Sequence, residues 1–122
     1  MDEHALRTSV EALTQAIQER DLGSVVQHLA DGLRTRQFMV AGRIESYEVL
    51  SVETQGSEGV VHAQYHGDRA NLLEGSWTEP NGTPKLLSFA GPDLTLELRW
   101  TEEYGRPRLI SIGMSGGPRI PP

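Results

Sequence analysis

Apolar residues recur at helical spacing near the N-terminus and at a spacing of two from about residue 43 onward. That change of period predicts an α+β fold, an N-terminal helical hairpin packed on a curved antiparallel sheet of about six strands. Short turn sequences separate the alternating stretches, and connections that short join antiparallel neighbours. The 122 residues hold one domain, long enough to bury roughly two-thirds of the unfolded chain's surface without disulfide or metal staples. The domain is expected to span residues 1–115 as a single roll, with 116–122 as a Gly/Pro-rich C-terminal tail that cannot hold a regular element.

The first helix is expected from residue 3 to about 20. Leu6, Val10, Leu13 and Ile17 are spaced by four, three and four, which puts them on one stripe, while Glu11, Gln15, Gln18 and Glu19 occupy the other side. Asp21-Leu22-Gly23 ends it, and Ser24 is the expected N-cap of a second helix carrying Val25, Val26, Leu29 and Leu33. The joint apolar face of this pair needs a partner, and the rest of the chain must supply it.

Ile44 to Thr54 is a strand whose apolar residues change parity between Tyr47/Val49 and Leu50/Val52; a bulge or burial of both faces explains that. Gly56-Ser57-Glu58-Gly59 is a turn. Val61, Ala63 and Tyr65 then alternate with His62, Gln64 and His66. Gly67-Asp68 reads as a second turn, leading to a strand over 70–79 with Leu73 and Trp77 in phase. Pro80-Asn81-Gly82-Thr83 contains Asn-Gly, the strongest short hairpin signal. Leu86 to Phe89 follows, then Gly91-Pro92-Asp93 as a turn. Leu94, Leu96, Leu98 and Trp100 alternate with Thr95, Glu97 and Arg99, and a turn at Tyr104-Gly105-Arg106 leads to a last strand, Leu109 to Met114.

The stretch from Ala16 to Leu29, a helix end, a short Asp-containing connection and a second helix start, resembles the NTF2-like superfamily, and so does the closing hairpin of Leu94–Thr101 and Pro107–Met114. The resemblance is architectural, spans nearly the whole chain and implies a cone-shaped roll with a pocket. A third helical piece before the main sheet, usual in that family, has only Arg34 to Gly42 to supply it. The ketosteroid isomerase branch places a general-base carboxylate and a Tyr/Asp oxyanion pair inside the cone, and the epoxide hydrolase branch an Asp-Arg-Asp arrangement. Neither set finds matching positions here, so the resemblance implies a fold and no reaction.

The net charge of −6 disfavours general binding to phosphate backbones, so no nucleic-acid partner is expected. With no cysteine, disulfides, thiol catalysis and thiolate metal sites are excluded. The acidic Met-Asp-Glu-His start lacks the apolar core of a signal peptide, and no apolar run approaches membrane-spanning length. A cytoplasmic protein without membrane attachment is the expectation. Phosphate-binding loops, dinucleotide fingerprints, nucleophile elbows and HExxH are all missing from the sequence, so neither cofactor nor metal is expected.

The candidate ligand-binding residues are Trp77, His62, His28 and Tyr47. Gly75, two positions before Trp77 on its face, leaves open space beside the ring, as a pocket or an interface would. His62 and His66 are one strand face apart by roughly 13 Å, too far for one ion without a bulge. His66 with Asp68 is a carboxylate–imidazole pair at an expected hairpin tip. His28 borders the apolar stripe of the second helix. Arg34, Arg36 and Arg43 form a loose basic group read as a solvated turn.

These observations favour a small ligand-binding or protein-interaction domain. It is expected to be a homodimer through an apolar sheet face, and a small apolar ligand is its expected small-molecule partner. The alternative is a small isomerase, dehydratase or cyclase acting on an apolar substrate inside the roll, with His62, His28 and Asp93 as the acids or bases to test.

Overall fold

The computed structural model describes residues 1–34, 38–74, 85–88 and 94–114. Trp77, Asp93, the Asn81-Gly82 hairpin, Phe89 and the 116–122 tail lie outside the described residues. The chain is α+β, with helices α1 (Glu3–Gln18), α2 (Leu22–Gln27) and α3 (Asp31–Arg34) followed by strands β1 (Phe38–Gln55), β2 (Glu58–Glu74), β3 (Lys85–Ser88), β4 (Leu94–Glu103) and β5 (Arg106–Met114).

The Asp2 side chain accepts from the His4 amide at 3.4 Å and so caps α1. Its stripe, Leu6, Val10, Leu13 and Ile17, is buried as its spacing predicts. α1 closes with two bonds back into its last turn, Arg20 N–H to the Ile17 carbonyl at 3.1 Å and Asp21 N–H to the Ala16 carbonyl at 2.9 Å. This double closure needs a left-handed residue, usually glycine. Here Arg20 takes it, at φ 58, and its guanidinium donates to the Val40 and Gly42 carbonyls of β1 at 3.2 and 2.8 Å. Those bonds offset the backbone cost and fasten the helix end to the sheet.

α2 starts three residues earlier than expected. Asp21, and not Ser24, is its cap: the Asp21 carboxylate accepts from the Ser24 amide at 3.3 Å and the Ser24 hydroxyl at 2.7 Å. The expected second helix is also interrupted, because Leu109 N–H donates to the His28 carbonyl at 2.7 Å and Ala30 N–H to the Leu109 carbonyl at 2.9 Å. A short parallel bridge between Leu29 and Leu109 forms there, and helix resumes as α3. The third helical piece is therefore Asp31–Arg34, and the segment from Phe38 onward is already strand.

Among the described residues, four strands run in the order β1-β2-β4-β5, and the short β3 pairs β2 off that path. The expectation of about six is corrected at Gly67-Asp68, which is no turn. Gly67 pairs Ile44 and Asp68 pairs Arg43 inside one continuous β2. The register of β1 against β2 shifts on both sides of this point, and Gly67 has φ 151, a conformation that absorbs the irregularity without ending the strand. The parity change in β1 is a bulge. Val49 pairs Ala63 and Ser51 pairs His62, so Leu50 is the extra residue, half exposed at 50%.

One face of this sheet carries Val61, Ala63, Tyr65, Leu96, Leu98, Trp100 and Leu109, all buried against the stripe of α1. Each large apolar side chain buried this way contributes about 1.5–3 kcal/mol. Gly59 lets the first turn of α1 approach, since a Cβ there would lie 2.4 Å from Leu6 Cδ1.

Candidate functional site

Strand alternation sends the residues between the core positions to the opposite face. On β2 these are Val60, His62, Gln64 and His66, and on β4 they are Thr95, Glu97, Arg99 and Thr101. Over the described residues the outer face of β2 and β4 is thus polar apart from Val60. Among the described residues, the large hydrophobics that do reach solvent are Met39, Leu50, Tyr104 and Ile110, on β1, β5 and the β4–β5 turn.

His62 organises the outer face. The pairings Ser51↔His62 and His62↔Glu97 put three polar residues in one row across β1, β2 and β4. The Ser51 hydroxyl lies 3.0 Å from His62 Nδ1. His62 Nε2 faces Glu97 Oε2 at 3.7 Å, and Glu97 Oε1 holds Arg99 Nε at 2.7 Å. The His62 and Glu97 side chains are 26% and 27% exposed, enough for a ligand to reach. Arg99 also lines an open cleft of about 180 Å³ with Glu53, Gln55, Glu58 and Val60 at the β1–β2 hairpin.

Tyr47 lies on the other face. Its ring stacks on Tyr65 with centroids 5.4 Å apart and planes 16° apart, and the Tyr65 hydroxyl meets Thr14 Oγ1 at 2.9 Å under α1. Burial pushes the Tyr65 phenol far above its ordinary value; the Thr14 bond opposes this and Tyr47 adds to it. Tyr47 is raised by burial and then by Glu11. Both are therefore neutral hydrogen-bonding groups at neutral pH.

His28 occupies a third place, the C-cap of α2, where the Leu109 amide binds its carbonyl. Burial lowers its pKa, and Arg106 and Arg108 lower it further, so its neutral form is favoured. It borders a cleft of about 190 Å³ with Gln15, Glu19, Asp21 and Ser24. Close by, Tyr104 Oη donates to Asp31 Oδ2 at 2.5 Å, Glu103 accepts from the Asp31 amide at 2.9 Å, and the Arg108 guanidinium stacks over Tyr104. These bonds tie the β4–β5 turn to α3. The Nε of Arg108 and the Nε1 of Trp100 are buried with no partner among the described residues.

The three expected site residues that are described are not brought together. His62, Tyr47 and His28 fall on the outer face, the inner face and a helix end, and Trp77 is outside the described residues. His66 and Asp68 are exposed positions within β2, paired with Ser46 and Arg43. No group of three potential metal ligands occurs among the described residues, and no helix among them is long and apolar enough to cross a membrane. Sequence reading named His62 but missed Ser51, Glu97 and Arg99 as its companions. The Leu50 bulge sets which β1 residue faces His62, and the register of β2 against β4 cannot be counted through the intervening connection.

No family model matches the chain, and no curated protein matches it. Among solved structures, it is similar to the intermembrane space region of the chloroplast protein ARC6. The match has a TM-score of 0.52 and 10% identity and covers 93% of this chain and 96% of that one. At that identity the likeness carries the fold alone: the two share a helix-on-curved-sheet architecture over almost their full lengths.

Proposed function

We propose that the chain is a protein-interaction domain of NTF2-like architecture that uses its outer sheet face to bind a basic, hydrogen-bonding segment of a partner. The observation that carries this reading is the row Ser51–His62–Glu97–Arg99, polar side chains held in place on three adjacent strands beside an open cleft. Groups fixed on rigid strands lose little entropy when they bind. The surrounding carboxylates, Glu48, Glu53 and Glu58, set the sign of the partner, in keeping with the net charge of −6.

An enzyme working inside the roll has less support. Beneath α1 the inner face is filled by Leu, Val and Trp side chains, and among the described residues the polar groups found there, Thr14, Tyr47 and Tyr65, include no carboxylate or imidazole. Self-association through the outer face would have to pair polar surfaces, so a dimer, if formed, is expected to be weak and salt-sensitive.

The test is a titration of the isotope-labelled chain with a short Lys/Arg-rich peptide at low and at raised salt, read by backbone amide shifts. Shifts confined to residues 51–55, 58–64 and 95–99, and weakened by salt, support the reading. Shifts that skip these strands, or none at low salt, overturn it.

A further inference from the structure

We propose that His62 and Glu97 form a two-ligand surface site for a divalent metal ion of the zinc type. His62 Nε2 and Glu97 Oε2 face each other at 3.7 Å, too long for an N–H···O hydrogen bond. Two such donors on one tetrahedral ion stand roughly 3.4 Å apart, given metal–ligand distances near 2.1 Å. A small rotation of either side chain closes the difference.

Both ligands are also held from behind. Ser51 Oγ at 3.0 Å from Nδ1 can accept the Nδ1 proton, which leaves the Nε2 lone pair directed at Glu97. Metal-binding histidines are commonly oriented by such a partner on the other ring nitrogen. Arg99 holds Glu97 Oε1 at 2.7 Å, leaving Oε2 to bind the ion through one oxygen. The two ligands are a register pair on adjacent strands, so the backbone fixes their spacing. Gly113 comes next in the row, and a Cβ there would have no neighbour within 4 Å, which leaves room beside Glu97 for water ligands.

The donor set selects the ion. One imidazole nitrogen and one carboxylate oxygen suit zinc and its neighbours, whereas calcium and magnesium favour all-oxygen shells. Water completes the coordination. The site goes beyond the interaction reading and does not depend on it.

Zinc alone, titrated into the whole chain and followed by the imidazole resonances of all four histidines, tests the site. The expected result is a saturable shift of His62 with one ion per chain, while His4, His28 and His66 stay in place. His62→Gln abolishes it, His66→Gln does not, and Ser51→Ala weakens it about 10-fold. Glu97→Gln weakens it and Glu97→Asp recovers part of the loss. Thermal unfolding of each variant without zinc separates lost ligation from lost fold. Saturation that survives His62→Gln, shifts centred on another histidine, or no saturable shift at all overturns the site.

Discussion

On β2, Val61, Ala63 and Tyr65 are fully buried under α1, while His62, Gln64 and His66, each one residue along, lie on the opposite face. β4 divides in the same way, with Leu96, Leu98 and Trp100 inward and Thr95, Glu97 and Arg99 outward. The inner set is held by packing and tolerates little change in volume. The outer set is held by hydrogen bonds and ion pairs that water can replace at small cost. One pair of strands thus separates what stabilises the domain from what is free to recognise something else.

Adjacent residues on one strand give the sharpest test of that division. Leu98→Ala removes a fully buried side chain and is expected to cost about 2–5 kcal/mol. Glu97→Gln, one position before it, is expected to cost less than about 1 kcal/mol, because its contacts with His62 and Arg99 are partly solvated. Urea unfolding of both variants measures the ratio. Equal losses would mean that the outer row is structural, and the interaction reading would lose its basis.

The next largest effect is expected at Gly67, where the register of β1 against β2 shifts on both sides. Gly67 has φ 151, and a Cβ there would lie 2.4 Å from the Arg43 carbonyl oxygen and 2.8 Å from the Glu45 amide nitrogen. Both are backbone atoms that cannot swing away. Gly67→Ala is expected to cost about 1–3 kcal/mol, with the amide shifts centred on the β1–β2 pairing around Ile44. A turn at this position would have accepted the substitution far more readily.

The same residue shows where sequence reading fails. Gly-Asp is a turn signal because of local conformational preference, but in β2 long-range pairing with β1 overrides it. The parity change at Leu50 was legible as either a bulge or burial of both faces, and the pairing of β1 with β2 shows the bulge. The α1 stripe and the β4 alternation were legible from their spacing. Arg20 as the left-handed closing residue of α1 was not, because its compensation comes from β1 carbonyls some twenty positions away. The site was half legible. His62 has the residue type that draws attention, but Ser51 and Glu97 become its neighbours only through cross-strand register, which no local pattern encodes.

A smaller effect concerns the polar contact made on the inner face. Tyr65→Phe removes the hydroxyl that meets Thr14 at 2.9 Å and is expected to cost about 1–2 kcal/mol at neutral pH. Its pH signature is more specific. The folded state raises the Tyr65 pKa above the ordinary value of 10.0, so the unfolded chain releases that proton first as pH rises. Stability linked to Tyr65 is therefore complete below pH 10 and declines above it, with a limiting slope of about 1.4 kcal/mol per pH unit. Tyr47 is raised in the same direction and adds to the alkaline limb. Denaturant unfolding of the parent and of Tyr65→Phe across the alkaline range compares the two limbs. The variant is expected to begin less stable but to lose stability less steeply, so that the two curves converge as pH rises. Parallel curves would show that the phenol is not desolvated in the folded state, and the inner face near Tyr47 would then have to be as open to water as the outer one.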